Sequence, residues 1–295
     1  MQDEKQPPKP ESHISIYESL KLGSVSYSIS MLFYPVEMIA TISKSYSSKK
    51  EVDKIIKQKL SSFKNFMTFF KGSYVVFWEN IPPVAVYFFL YDKTKKFLEK
   101  SSFFGPNLLP ICSSAVAEAF CLVIQTPFET VRTRIQSNKV FYRYNGIWDG
   151  FASIGKYEGY MRLYSASYLY IVITMFYTTI QFYIFERYLD KYQEKEGAFD
   201  LKASVVGAFF GTSASVVLTN PFDNLVVRYQ NTNFMLEKTK NLTFWIIFKN
   251  KVYDQGFEGM MRGVLWRLLV HQMHSLAILP LYRYYSIQHE LGPKK

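Results

Sequence analysis

One phrase recurs three times in this chain at nearly even spacing. It reads Pro35-Val36-Glu37, Pro127-Phe128-Glu129 and Pro221-Phe222-Asp223, with steps of 92 and 94 residues. A proline two residues ahead of a carboxylate, repeated at that period through 295 residues, implies three copies of one structural unit. Hydropathy says what each unit contains. Leu163 to Phe185 and Ala203 to Phe222 hold no charged residue, and about 20 such residues let a helix cross a bilayer core. The mean hydropathy of −0.04 looks soluble only because it averages these runs with polar connections.

Six apolar segments emerge, in pairs: about 17–46, 73–97, 108–136, 167–192, 201–230 and 264–289. Pro35, Pro127 and Pro221 fall in the first member of each pair, where a proline removes a helical hydrogen bond and is expected to kink the helix. Three kinks at one depth predict helices that converge on a common point. Gly207 with Gly211, and Ala115 with Ala119, are small-residue pairs that let helices approach closely. Between the members of each pair runs a polar connection with a short helical pattern, exemplified by Asp149, Phe151, Ile154 and Tyr157. The expected fold is all-α: six transmembrane helices in three pseudo-symmetric repeats (14–100, 101–196 and 197–295) with short connecting helices. Residues 1–13 are polar, carry Pro7, Pro8 and Pro10, and read as a disordered tail.

A formal net charge of +11 fits attraction to anionic lipid, and no basic stripe accompanies a nucleic-acid module. Cys112 and Cys121 share one apolar segment and read as buried thiols. There is no Gly-rich phosphate loop, no metal-spaced Cys/His cluster and no nucleophile elbow, so an enzyme is not expected.

The repeats resemble the mitochondrial carrier family over nearly all of residues 14–290. That family's signature is Pro-x-Asp/Glu-x-x-Lys/Arg at the end of each odd helix, followed by a Gln. The second repeat has Pro127, Glu129, Arg132 and Gln136; the third has Pro221, Asp223 and Gln230, with Val226 in place of the base. The first has Pro35 and Glu37, with Ala40 in place of the base. Tyr144-Asn145-Gly146 with Asp149 and Glu158-Gly159 looks like the family's matrix helix, and Tyr91-Asp92 with Lys95 like its outer-face motif. Phe70-Lys71-Gly72 and Arg262-Gly263 look like even-helix starts, whereas Ser165-Ala166 lacks both base and glycine.

The resemblance implies a six-helix barrel in the inner mitochondrial membrane, opening alternately to either side. It implies a matrix gate of Glu37, Arg132, Glu129, Asp223, Gln136 and Gln230. It also implies cardiolipin at Lys71, Gly72, Gly146, Arg262 and Gly263, and no redox cofactor or metal. Under the family's pairing only Glu37–Arg132 survives; Glu129 faces Val226 and Asp223 faces Ala40, with Arg134, Arg228 or Lys44 as substitute bases. The family's substrate-contact level falls on Glu79, Asn80, Ile173, Thr174, Val270 and His271, with no arginine there. Glu79 interrupts an apolar run, which marks it for attracting a cation, for proton exchange with His271, or for a structural role in a wet cavity. Glu118 is a second intramembrane acid. Two functions stay open: a carrier for a small cationic or proton-coupled solute, and a transport-deficient structural subunit of a large respiratory-chain or ATP synthase complex.

Overall fold

The computed structural model describes residues 16–46, 48–99, 108–139, 142, 144–192, 199–232 and 244–290. The tail 1–13 and the side chains of Tyr91, Asp92 and Lys95 lie outside the described residues. Among the described residues there is no strand, and one order recurs three times: a long helix, short helical pieces, a long helix. The first set is α1 (Ile16–Ser45), α2 (Lys49–Leu60), α3 (Phe63–Phe66) with a 3₁₀ turn Met67–Phe70, and α4 (Val75–Glu99). The second is α5 (Leu108–Gln136), α6 (Ile147–Tyr157) with a 3₁₀ turn Tyr160–Tyr164, and α7 (Ser167–Tyr192). The third is α8 (Leu201–Gln230), α9 (Phe244–Met260) and α10 (Val264–Glu290).

The six long helices pack in chain order around a closed ring, α1–α4–α5–α7–α8–α10 and back to α1. Four segments are long and apolar enough to cross a membrane by length and composition: Leu20–Ser45, Tyr160–Tyr192, Leu201–Gln230 and Gly256–Tyr285. α4 and α5, of 25 and 29 residues, match them in length but carry more charge, including Glu79, Glu118, Glu129, Arg132 and Arg134. Pro35, Pro127 and Pro221 each lie inside a continuous helix. Lacking an N–H, they leave the carbonyls of Met31, Val123 and Val217 without their usual helical donor.

Small residues set the closest approaches, though not always where the spacing predicts. A Cβ on Gly211 would lie 2.7 Å from the Gln181 carbonyl oxygen, and one on Gly207 3.3 Å from the Phe185 and Tyr188 rings, so both glycines seat α8 against α7. Gly211→Val therefore has to push the two backbones apart. It is expected to cost about 1–3 kcal/mol, read as a lower midpoint of thermal unfolding in detergent; an unchanged midpoint would refute this packing. On α5 the expected pair Ala115 and Ala119 is only half-buried. The buried stripe is Ser113, Ala117 and Cys121, with the Cys121 thiol 3.4 Å from the Pro83 carbonyl of α4. In α6 the inward face is Ile147, Gly150 and Ile154, while Tyr157 is exposed. The i, i+3, i+7 series starting at Ile147 wins because Gly150 fits against Val131 of α5, where a Cβ would come within 2.7 Å.

The starts of α4, α7 and α10 share one backbone device. Gly72, Ala166 and Gly263 all have positive φ, +89°, +63° and +74°. Ala166 thus keeps the left-handed turn of its two glycine counterparts, at the cost of a Cβ there. Seven residues earlier in the last two units, Gly159 and Gly256 also have positive φ. Ala166→Gly is expected to raise stability by about 1 kcal/mol, since the strain of a left-handed non-glycine residue is about 1–2 kcal/mol and the more flexible unfolded chain offsets part of it. A fall in the unfolding midpoint would mean that the turn does not strain Ala166.

Candidate functional site

α1, α5 and α8 also touch one another inside the ring. Their repeated carboxylates meet there: the expected Glu37–Arg132 pair forms, and the other acids find partners that the repeats do not imply. Arg132 of α5 binds three acids at once. Its Nη1 pairs with Glu37 of α1, its Nη2 with Glu129 one turn back, and its Nε lies 2.9 Å from Oε2 of Glu79 on α4. Glu129 does not reach toward Val226. It folds onto its own helix, where its Oε1 also accepts from Thr133 Oγ1 at 3.1 Å. Val226 is buried and apolar, so it offers that carboxylate nothing.

Asp223 is not left opposite Ala40. Lys44, four residues and about one turn further along α1, pairs with its Oδ2, and Arg267 Nε lies 3.5 Å from the same oxygen. Arg267 is the base that sequence reasoning missed. It stands one turn before His271 on α10, below the contact level where arginine was sought. Its Nη1 donates to Thr219 Oγ1 at 3.0 Å, and its guanidinium lies 5.9 Å from the Tyr177 ring centre. The signal available was an arginine in an otherwise apolar run, on the face that His271 continues at i+4.

Two adjoining cavities flank this cluster, of about 270 Å3 and about 240 Å3. Both are lined by Glu37, Glu129, Arg132, Tyr170, Val270 and His271. All six contact-level residues reach them: Ile173 and Thr174 in the larger, Glu79 and Asn80 in the smaller, Val270 and His271 in both. Asn80 Oδ1 accepts from Ser26 Oγ at 3.1 Å. His271 Nδ1 lies 3.0 Å from the Arg267 carbonyl, which can only accept, so Nδ1 carries hydrogen and Nε2 is left as the acceptor. His274 is held by Ser30, its Nε2 3.2 Å from Oγ.

Beyond the charged cluster the ends of the three odd helices are tied by a second, mostly neutral layer. Thr41 Oγ1 donates to Gln136 Oε1 at 2.9 Å, joining α1 to α5. Arg134 Nε donates to the Gln230 carbonyl at 3.0 Å, joining α5 to α8, and Asn231 Nδ2 donates to Ser45 Oγ at 3.0 Å, returning to α1. Gln230 therefore takes part through its main chain. Its side-chain amide is buried without a hydrogen bond among the described residues. Arg134 itself is fully buried, forked onto Glu158 at 2.5 and 3.0 Å and stacked 4.8 Å from Tyr142. It serves α6 rather than the repeated carboxylates. Lys139 Nζ donates to the Asn231 carbonyl at 2.9 Å. Burial, with Arg228 and Arg134 nearby, pushes its pKa down to about 8. Burial also raises the phenols of Tyr142 and Tyr144.

The residues expected to hold lipid sit at helix starts. Gly146 opens α6 with no side-chain cap, and a Cβ there would lie 3.9 Å from the Tyr74 hydroxyl beside the start of α4. Lys71 is exposed, and its carbonyl accepts from Tyr34 Oη at 3.0 Å. Arg262 Nη1 donates to the Tyr46 carbonyl at 3.3 Å. Gly72 and Gly263 approach α5 and α1 closely, with an added Cβ 2.8 Å from Ile135 Cγ2 and 3.1 Å from the Ala40 carbonyl oxygen.

Comparison with known proteins places this architecture. The mitochondrial carrier protein profile matches residues 105–196. A mitochondrial glutathione transporter of Mus musculus is 26% identical over 197 residues, 64% of this chain and 58% of its own length. A mitoferrin of Dictyostelium discoideum is 24% identical over 241 residues, 74% of this chain and 75% of its own. An uncharacterised mitochondrial carrier of Schizosaccharomyces pombe is 21% identical over 280 residues, 89% of this chain and 72% of its own. The chain thus spans under two thirds of the mouse relative. With its ring of six long helices and a proline inside each of α1, α5 and α8, the chain is similar to mitochondrial carrier proteins.

Proposed function

We propose that the protein moves a small solute across the inner mitochondrial membrane by alternating access, with the central cavity as the binding site. The observation that carries this reading is the cavity itself. Its walls come from α1, α5, α7, α8 and α10, they carry ion pairs between three different helices, and Thr41 and Gln136 of the mostly neutral hydrogen-bonded layer also line it. Ion pairs between helices are reversible, so a solute that binds one state better shifts the balance between states. In this reading Glu79, Asn80, Ile173, Thr174, Val270 and His271 contact the solute. Glu37, Arg132, Glu129 and Asp223 form the gate, with Gln136 and Gln230 behind them. Cardiolipin sits at the helix starts marked by Gly72, Gly146 and Gly263, where free backbone N–H groups favour phosphate. The solute carries a cationic group or moves with a proton, because acids outnumber bases around Glu79.

The test is uptake into cardiolipin-containing proteoliposomes. The labelled solutes are amino acids, polyamines, carboxylates and glutathione, the last because relatives are named for its transport. Uptake of one solute, abolished by Glu79→Gln, is the expected result. Undiminished uptake in that variant would remove Glu79 from the site. No uptake of any solute, together with native protein that co-migrates with a respiratory or ATP-synthase-sized complex, would replace transport with a structural-subunit role.

A further inference from the structure

The two sides of the central cavity carry opposite charge imbalances. On one side three carboxylates, Glu37, Glu79 and Glu129, share the single guanidinium of Arg132. Glu79 Oε1 is buried there without a hydrogen-bond partner among the described residues. Glu118 falls on the α5 face that carries Gln125, Glu129 and Arg132, two turns before Gln125, and does not line either cavity. On the other side two bases, Lys44 and Arg267, share the single carboxylate of Asp223. The sides are not sealed from each other, because the larger cavity is lined by Glu129 and Arg132 as well as by Lys44 and Arg267. Apolar Val226, Ile173 and Val270 line the space between them.

Unbalanced charge in a poorly solvated interior is costly, and attraction across it is strong. A proton or a simple cation would relieve only the acidic side, and an anion only the basic side. One molecule that carries both charges relieves both. No three His, Cys, Asp or Glu side chains among the described residues are arranged to hold a metal ion, which favours an organic cation over a metal on the acidic side.

We infer that the solute is a zwitterion that lies across the cavity. Its ammonium or guanidinium group meets Glu79 and Glu129, and its carboxylate meets Arg267 and Lys44. This inference rests on the transport reading above and adds the solute's charge pattern and orientation to it.

The experiment is equilibrium binding to the purified full chain in cardiolipin-containing micelles. The probes are amino acids and glutathione, each set against an amine lacking the carboxylate and an acid lacking the amine. At least one zwitterion is expected to bind about tenfold or more tighter than either of its matched single-charge compounds. Arg267→Gln is expected to weaken the zwitterion by about tenfold while leaving the weaker amine within about twofold, because only the carboxylate end loses a partner. Glu79→Gln is expected to do the reverse, sparing the acid. An amine or an acid that binds as tightly as the zwitterion would overturn the inference and leave transport standing. So would two substitutions that affect both ends equally. Failure of every probe to bind a folded protein that is also inactive in proteoliposomes would overturn both.

Discussion

Arg132→Gln is expected to lower stability by about 3–5 kcal/mol, the cost of removing one partner from a buried ion pair. Glu37, Glu79 and Glu129 all lose their counter-charge in that variant, and none has another base within reach of a salt bridge among the described residues. The loss is read from the midpoint of thermal unfolding in lipid-supplemented detergent. Adding Glu79→Gln and Glu129→Gln to Arg132→Gln is expected to recover more than half of it, since neutral amides need no counter-charge and leave one acid rather than three. Residues that share a partner are not additive, so this recovery measures the coupling directly. A single-variant loss below about 1 kcal/mol would mean that the carboxylates are well hydrated and that Arg132 is not their common anchor.

Arg134→Gln is expected to cost about 3 kcal/mol for a different reason. Its guanidinium is fully buried and joins Glu158 at the end of α6 to the Gln230 carbonyl at the end of α8. Truncation leaves the Glu158 carboxylate and the Gln230 carbonyl without this donor. The double variant Arg134→Gln with Glu158→Gln is expected to recover part of the loss but not all, because Gln230 still lacks its bond. Full recovery would assign the whole effect to the ion pair and remove the α5–α8 tie.

Helix placement followed from hydropathy alone. The segments expected at 108–136, 167–192 and 201–230 are α5, α7 and α8, because long apolar runs bounded by polar connections leave little choice of element. The number of unambiguous spans was less legible. Glu79 of α4 and Glu129 and Arg132 of α5 line the cavity, and a hydropathy window cannot tell an inward-facing charge from a lipid-facing one. Small-residue spacing located the α7–α8 contact at Gly207 and Gly211 but mislocated the α4–α5 one. On α5 several small residues compete for the buried stripe, and only the partner helix decides among them.

The sequence by itself determined the repeat, the helices, and which carboxylates lie near the centre, because proline and acid recur at a fixed period. Of their partners it indicated Arg132 for Glu37, and it offered Lys44 only as one of three substitute bases. Lys44 for Asp223, Arg132 for three acids at once, and Arg267 as an unforeseen base were decided by tertiary structure. Long side chains reach across one helix turn and between helices, so a base lost at Ala40 is replaced a turn later. A base lost at Val226 is not replaced, and Glu129 turns back to its own helix instead. The repeat therefore fixes where charge is placed along the chain, while the packing of six helices around one axis decides how that charge is shared.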